Sequence, residues 1–218
     1  MSVTVMEMWW IPVTAGTSES PISGVSQRRG FRDVVWHRIG VSSEALLQEM
    51  LDEFQLRKLV HSYCRAVDRG DIATLRGLYH HDASDAHGAF STGSVDHFLD
   101  GLVAARPYLR SMQHHVTTTN FAIDGDTAEG EIYSIATHTF VAGDHDVDVI
   151  VGGRYLDRYE KRSGTWKFLE REIVTDSAHV SDPSSVDVSH PITRGTPAGT
   201  PDANDPSYRF FSLLGKDA

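Results

Sequence analysis

Two residue types in this 218-residue chain are spaced so that they could move protons: a carboxylate on an apolar helix face and a histidine at the start of a strand. Asp68 follows Cys64 by four residues and Val60 by eight, so it shares a helix face with apolar groups instead of the solvent side. A carboxylate there is costly unless it is paired. The competing local role is a bond to the turn at Arg69-Gly70, where the helix pattern stops. Gln113-His114-His115 opens a long strand pattern, and neighbouring strand residues point to opposite faces, so one of these histidines points inward and the other out. Apolar alternation favours His115, which shares parity with Phe121 and Ile123. His114 shares parity with Val116, Thr118, Asn120 and Ala122, a small set that could equally line a cavity. Joined, the two residue types gain chemical meaning. An imidazole held by a buried carboxylate is fixed in one tautomer and made more basic, which equips it to take a proton from carbon or oxygen. Neither residue needs a metal or a cofactor.

Other constellations carry less. His80-His81-Asp82 with Asp85 and His87, or His138 with His145, could suggest a metal site among the 12 histidines, but no HExxH, paired cysteines or facial-triad spacing supports one. The expectation is no metal. Gly152-Gly153 lies inside a strand pattern and not at a strand-to-helix turn, which marks a bulge or a close backbone approach and not a phosphate loop. No Gly-x-Ser-x-Gly is present, so serine hydrolysis is set aside. Cys64, the one cysteine, sits in the apolar helical pattern as a buried thiol.

The elements that must position these groups follow from capping and period. Ser42-Ser43-Glu44-Ala45 offers a capping hydroxyl, and Leu47, Leu51, Phe54, Leu59, Tyr63 and Val67 follow at helical spacing up to Arg69-Gly70. Asp71 caps a shorter helix through Leu75, Leu78 and Tyr79. A short strand is expected around residues 83–90, a third helix over residues 94–109, and long strands over 112–123, 127–141, 146–161 and 165–176. The separators Asp124-Gly125-Asp126, Gly143-Asp144 and Ser163-Gly164 are hairpin turns, too short to return a parallel strand. Three helices around a short strand, then an antiparallel meander, predict an α+β domain whose curved sheet wraps its own helices and leaves a pocket. Residues 1–41 read as an N-terminal extension, 42–177 as the domain, and 178–218 as a Pro-rich tail without regular elements, anchored by Ser207-Tyr208-Arg209-Phe210-Phe211.

Composition bounds the partners. Hydrophobic residues at 40% and charged residues at 23% fit a globular chain with a substantial core. A net charge of −10 argues against nucleic acid and anionic membrane surfaces. No stretch approaches the about 20 apolar residues of a membrane span, and the first 40 residues show no signal-peptide pattern, so the cytoplasm is the expected compartment.

Three stretches resemble the SnoaL-like branch of the nuclear-transport-factor-2-like superfamily, over roughly Leu46 to Thr175. Leu59 to Asp71 looks like the family's first helix with its acidic residue, and Gln113-His114-His115-Val116-Thr117-Thr118 like its histidine strand. Gly152-Gly153-Arg154-Tyr155 through Gly164-Thr165-Trp166-Lys167-Phe168 looks like its last two strands, the final motif being the most specific. The resemblance implies a cone-shaped α+β barrel and cofactor-independent dehydration, elimination or isomerisation, or polyketide-type cyclisation, of a hydrophobic cyclic small molecule. A non-catalytic ligand-binding or accessory domain is the reading from another class. By the same resemblance the acidic residue falls on Asp68 and the histidine on His114, with His115 the alternative that parity favours, unless a β-bulge intervenes. Tyr63, one turn before Asp68, is a candidate donor to a substrate carbonyl. The extra tyrosines that some dehydratases of the family carry after the second helix are replaced here by Asp82-Ala83-Ser84-Asp85-Ala86-His87. Ile132, Ile135, Val149 and Val151 are apolar on both strand parities, so the sheet's outer face calls for cover, as in a homodimer or homotrimer.

Overall fold

The computed structural model describes residues 42–213, so the expected N-terminal extension lies outside the described residues. Helix α1, Ser43–Arg69, starts where the Ser42 hydroxyl accepts the Ala45 N–H at 3.1 Å. It ends at Gly70, whose φ of 61° lets Asp71 N–H return to Ala66 O at 2.9 Å. Asp71 then caps α2, Ile72–Leu78, by accepting the Thr74 N–H at 3.0 Å. Tyr79 already belongs to β1, Tyr79–Ala86. After β2, Thr92–Ser94, comes α3, Val95–Ala105, which gives way to a 3-10 turn at Arg106–Tyr108 because Pro107 cannot continue the α-helical ladder. The meander is β3 Leu109–Asp124, β4 Thr127–Ala142, β5 His145–Arg162 and β6 Thr165–Ser181.

One six-stranded sheet results, in the order β2-β1-β6-β5-β4-β3. The meander is antiparallel as its turns demand, while β1 pairs with β6 in parallel. The curved sheet covers the second half of α1. Leu56, Val60, Tyr63, Leu75, Phe98, Ile132, Tyr159 and Phe168 are fully buried between them. The first half of α1 differs from expectation: Leu47, Leu51 and Phe54 are exposed, and the buried face begins only at Asp52 and Leu56. The reason is where the sheet ends. Asp52 meets the tip of the β5–β6 hairpin, accepting from Trp166 Nε1 at 2.8 Å and Lys161 Nζ at 3.1 Å, and no described strand extends beneath the residues before it.

Bulges decide which side chains face inward. In β3, Val116 pairs with Ser134 and Thr118 with Tyr133, so Thr117 is an extra residue. Inward parity therefore switches: His114 and Val116 face the core before the bulge, Phe121 and Ile123 after it. The parity preference for His115 fails for this reason, and His115 is exposed. Leu169 is likewise extra in β6, which puts Phe168 and Arg171 on one face. Gly153 answers to a close approach, since a Cβ there would sit 2.4 Å from Val174 O.

Beyond the meander, β6 runs past residue 177 to Ser181, where it still pairs with Asp148. The tail is not without regular structure. Pro206 takes the first position of a short helix α4, Pro206–Phe210, which Asp205 caps. Asp205 also pairs with Arg69 at 2.8 Å, and the Arg65 guanidinium lies 5.4 Å from the Tyr208 ring. Tyr208 is thus the aromatic residue that meets the domain, although it, Phe210 and Phe211 are all exposed. Ile132 faces inward and is buried; Ile135 is exposed on the opposite face with Tyr133 and Leu156.

Candidate active site

Asp68 stands in the last turn of α1, where the helix carbonyls make a carboxylate unfavourable unless donors meet it. Both donors come from one residue. His114 Nδ1 lies 2.7 Å from Asp68 Oδ1, and the His114 backbone N–H donates to Oδ2 at 3.1 Å. The local role at the Arg69-Gly70 turn is displaced, since both oxygens reach across to β3. This two-point hold fixes the imidazole with its Nδ1–H on the carboxylate and its Nε2 lone pair available. No hydrogen bond to a described residue occupies Nε2, and both side chains keep about a tenth of their surface exposed, 11% for His114 and 12% for Asp68.

His138 on β4 meets the His114 ring edge-on, with centroids 5.4 Å apart, and stacks on Phe140. Burial, reinforced by the neighbouring His114, pushes its imidazole down to about 4. At neutral pH His138 is therefore an uncharged wall. The sequence suggests it only as a metal partner of His145, from which it is separate. His145 sits at the β4–β5 turn between Asp144 and Asp182, at 2.9 and 2.8 Å. The signal for His138 was its parity with Ile132, Ser134 and Ala136 on an inward face.

Tyr63 does not join Asp68 and His114. Its hydroxyl lies 3.4 Å from His87 Nε2, and its ring packs edge-on against Tyr79, Tyr155 and Phe168 under the Arg171 guanidinium. Burial holds its phenol well above the ordinary range, so the group stays protonated. His87 Nδ1 is in turn hydrogen-bonded to Asp85 Oδ1, and Tyr79 donates to Asp85 Oδ2 at 2.8 Å. The sequence suggests this second aspartate–histidine pair only as part of a possible metal loop. Its signal was the Asp-x-His spacing, which puts both side chains on one side of extended backbone. Among the described residues no cluster of three or more His, Cys, Asp or Glu side chains is placed to hold a metal. Burial pushes the Cys64 thiol up to about 12, which makes it unreactive.

Two concavities bear on the site. The larger, about 460 Å³, lies against the sheet's outward residues, among them Glu129, Glu131, Leu156 and Glu172. It holds neither Asp68 nor His114, and size alone does not make it the chemical site. The smaller, about 110 Å³, is lined by Val67 and Met112, the residues just before Asp68 and two before His114, together with Ile72, Leu102, Arg106 and Leu109. Asp68 and His114 themselves are not among its lining residues.

A six-stranded curved sheet closed over a long helix, with an acid–histidine contact inside, defines a cone-type α+β scaffold. The chain belongs to the SnoaL-like domain family, whose model matches residues 48–172. Solved structures agree in fold. A scytalone dehydratase-like protein of Novosphingobium aromaticivorans is 19% identical, covers 65% of this chain and 93% of its own, and superposes with a TM-score of 0.57. A type 2 hexachlorocyclohexane dehydrochlorinase gives 18%, 66%, 97% and 0.59 for the same measures. A Mycobacterium tuberculosis protein of unknown function gives 25%, 64%, 84% and 0.52. No curated protein matches the sequence. Among the described residues no helix is long and apolar enough to cross a membrane.

Proposed function

We propose that this chain is a cofactor-independent lyase or isomerase that takes a proton from a hydrophobic cyclic small molecule, with His114 as the base. The observation that carries the reading is the two-point hold of Asp68 on His114, which leaves Nε2 as the available nitrogen. In the proposed step Nε2 removes a proton from a carbon made acidic by a neighbouring carbonyl or conjugated system. The C–H electron pair becomes a double bond as a β-substituent leaves with its own bonding pair, either as halide or as hydroxide that takes the proton from the His114 imidazolium and departs as water. Asp68 stabilises the imidazolium that forms, and neutral His138 adds no opposing charge. In an isomerisation the same proton returns to another carbon. The fold shared with a dehydrochlorinase and a scytalone dehydratase-like protein supports elimination as the reaction class.

A panel of cyclic β-hydroxy ketones and halogenated cyclohexanes, with a poly-β-ketone to cover cyclisation, tests the reading. His114→Ala and Asp68→Asn are expected to lower turnover by about 10²- to 10⁴-fold while circular dichroism stays native. Unaltered turnover in both variants refutes it. Ligand capture with no turnover in the native chain would favour a binding domain, the reading that the small size of the cavity beside Val67 and Met112 supports.

A further inference from the structure

Helix α1 is 27 residues long, and the sheet covers only its second half. Ahead of that cover, Leu47, Met50, Leu51 and Phe54 are between 46% and 65% exposed. Spacings of three and four put them on one face. At about 100° per residue that face lies opposite Leu56 and Tyr63, which pack into the domain. Among the described residues nothing covers it. Single exposed apolar side chains are ordinary, but four in one unbroken stripe mark a contact surface.

The charges around the stripe select its occupant. Glu44, Glu49 and Glu53 lie along this half of the helix and repel an anionic membrane surface. Glu44 stands seven residues before Leu51 and Lys58 seven after it, and both are exposed. The face therefore runs from acid through apolar to base, symmetrically about Leu51. A closed pair of identical chains requires a patch that complements itself under a two-fold rotation, and this one does. An unrelated apolar peptide would leave at least one of the two terminal charges unmatched.

We infer that the exposed half of α1 docks antiparallel on the same half-helix of a second copy of this chain, with the two-fold axis at Leu51. Leu51 then meets Leu51, Leu47 lies beside Phe54, and Glu44 of each copy faces Lys58 of the other about 10 Å from the axis. From their exposed fractions the four apolar side chains present roughly 500 Å², so two copies remove on the order of 1,000 Å², the lower end of specific interfaces. The association is accordingly a weak, reversible one that trapping reads better than dilute sedimentation. It uses a different surface from Tyr133, Ile135 and Leu156 on the outer sheet face, and it does not rest on the reaction proposed above.

Cysteine cross-linking of the full chain reads the register directly, because the native Cys64 is buried and its thiol is pushed up to about 12. In a glutathione redox buffer Leu51→Cys is expected to form a disulfide-linked dimer. Glu44→Cys mixed with Lys58→Cys should link as a heterodimer, whereas neither should link with itself, since equal positions lie about 20 Å apart across the axis. Phe54→Glu should abolish the Leu51→Cys link, and Ile135→Glu on the sheet should leave it. Glu44→Lys and Lys58→Glu, each alone, should weaken the linked dimer by about tenfold, and the two together should restore it. A Leu51→Cys chain that stays monomeric overturns the pairing, and its rate of reaction with a thiol reagent then separates an open stripe from one that a different occupant covers. Self-linking of Glu44→Cys as readily as its linking to Lys58→Cys, or a charge swap no better than the single reversals, also overturns it.

Discussion

Replacing Asp68 by Asn changes one atom and should reverse the tautomer of His114. In the native site Oδ2 accepts the His114 backbone N–H at 3.1 Å and Oδ1 accepts from Nδ1 at 2.7 Å, so the carboxylate needs no donor of its own. An asparagine has one oxygen and one NH₂. The backbone N–H cannot change, so the amide oxygen must face it and the NH₂ must face Nδ1. That bond survives only if Nδ1 becomes the acceptor, which moves the ring proton to Nε2 and removes the basic lone pair from the open side. The fold should lose about 1 kcal/mol, because a charge-assisted bond becomes a neutral one while a partly buried charge is also relieved. The proton-transfer capacity should fall by about 10⁴-fold, the cost of the wrong tautomer where a carboxylate–histidine pair has been cut in the same way. The assay is a long-range ¹H–¹⁵N spectrum of the imidazoles near pH 8, above the ordinary histidine range. Native His114 should show a protonated Nδ1, and the variant a protonated Nε2, with His138 unchanged as the internal control. The same tautomer in both proteins would refute the reasoning, however the activity behaves.

His138 supplies a pH test. Its folded value is about 4 against an ordinary 6.5, so between these values the unfolded chain holds the extra proton. Stability is therefore fully present above pH 6.5 and is lost as pH falls toward 4, by up to about 3 kcal/mol. Urea unfolding of His138→Phe at pH 5 and pH 8 should show most of that difference gone, and an unchanged difference counts against it. Arg171 and Asp157 form a fully buried pair through two bonds of 2.7 Å, with Tyr159 donating to Asp157 at 2.6 Å. Arg171→Met should cost about 3–5 kcal/mol by stranding Asp157, and adding Asp157→Leu should recover much of it in denaturant titrations. On the sheet's outer side Tyr133, Ile135 and Leu156 are exposed together. If this face makes the proposed homodimer or homotrimer, Ile135→Glu should shift sedimentation to the monomer, and a native chain that already sediments as a monomer would remove the premise.

Local chemistry made most of the scaffold legible. The Ser42 and Asp71 caps, the Gly70 exit and the three hairpin turns each rest on contacts within five residues, and sequence spacing reports such contacts well. What required the whole sheet was not legible. The parallel pairing of β1 with β6 joins residues about 90 positions apart. The strand rule of alternate faces pointed to His115 because it counts straight through Thr117, and one extra residue reverses every position beyond it. Tyr63 lies one turn before Asp68, but helix spacing fixes only a direction. Residues five apart on α1 diverge by more than a third of a turn, enough to send Tyr63 to His87 while Asp68 goes to His114.

The two aspartate–histidine pairs show what distinguishes a base from a clasp. Both hold an imidazole through Nδ1 on a buried carboxylate, so both fix a tautomer. They differ at the far nitrogen. Nε2 of His87 faces the Tyr63 hydroxyl, a phenol that burial keeps protonated and able only to donate to it. The ring is further pinned flat on Phe98 at 4.5 Å, so the second pair ties β1 to α1 and α3 with its lone pair already engaged. Nε2 of His114 meets no such donor among the described residues, and its neighbour His138 presents a neutral ring. Spacing of Asp and His in a sequence therefore identifies candidates. The state of the distal nitrogen separates them, and it supports His114 as the proposed base.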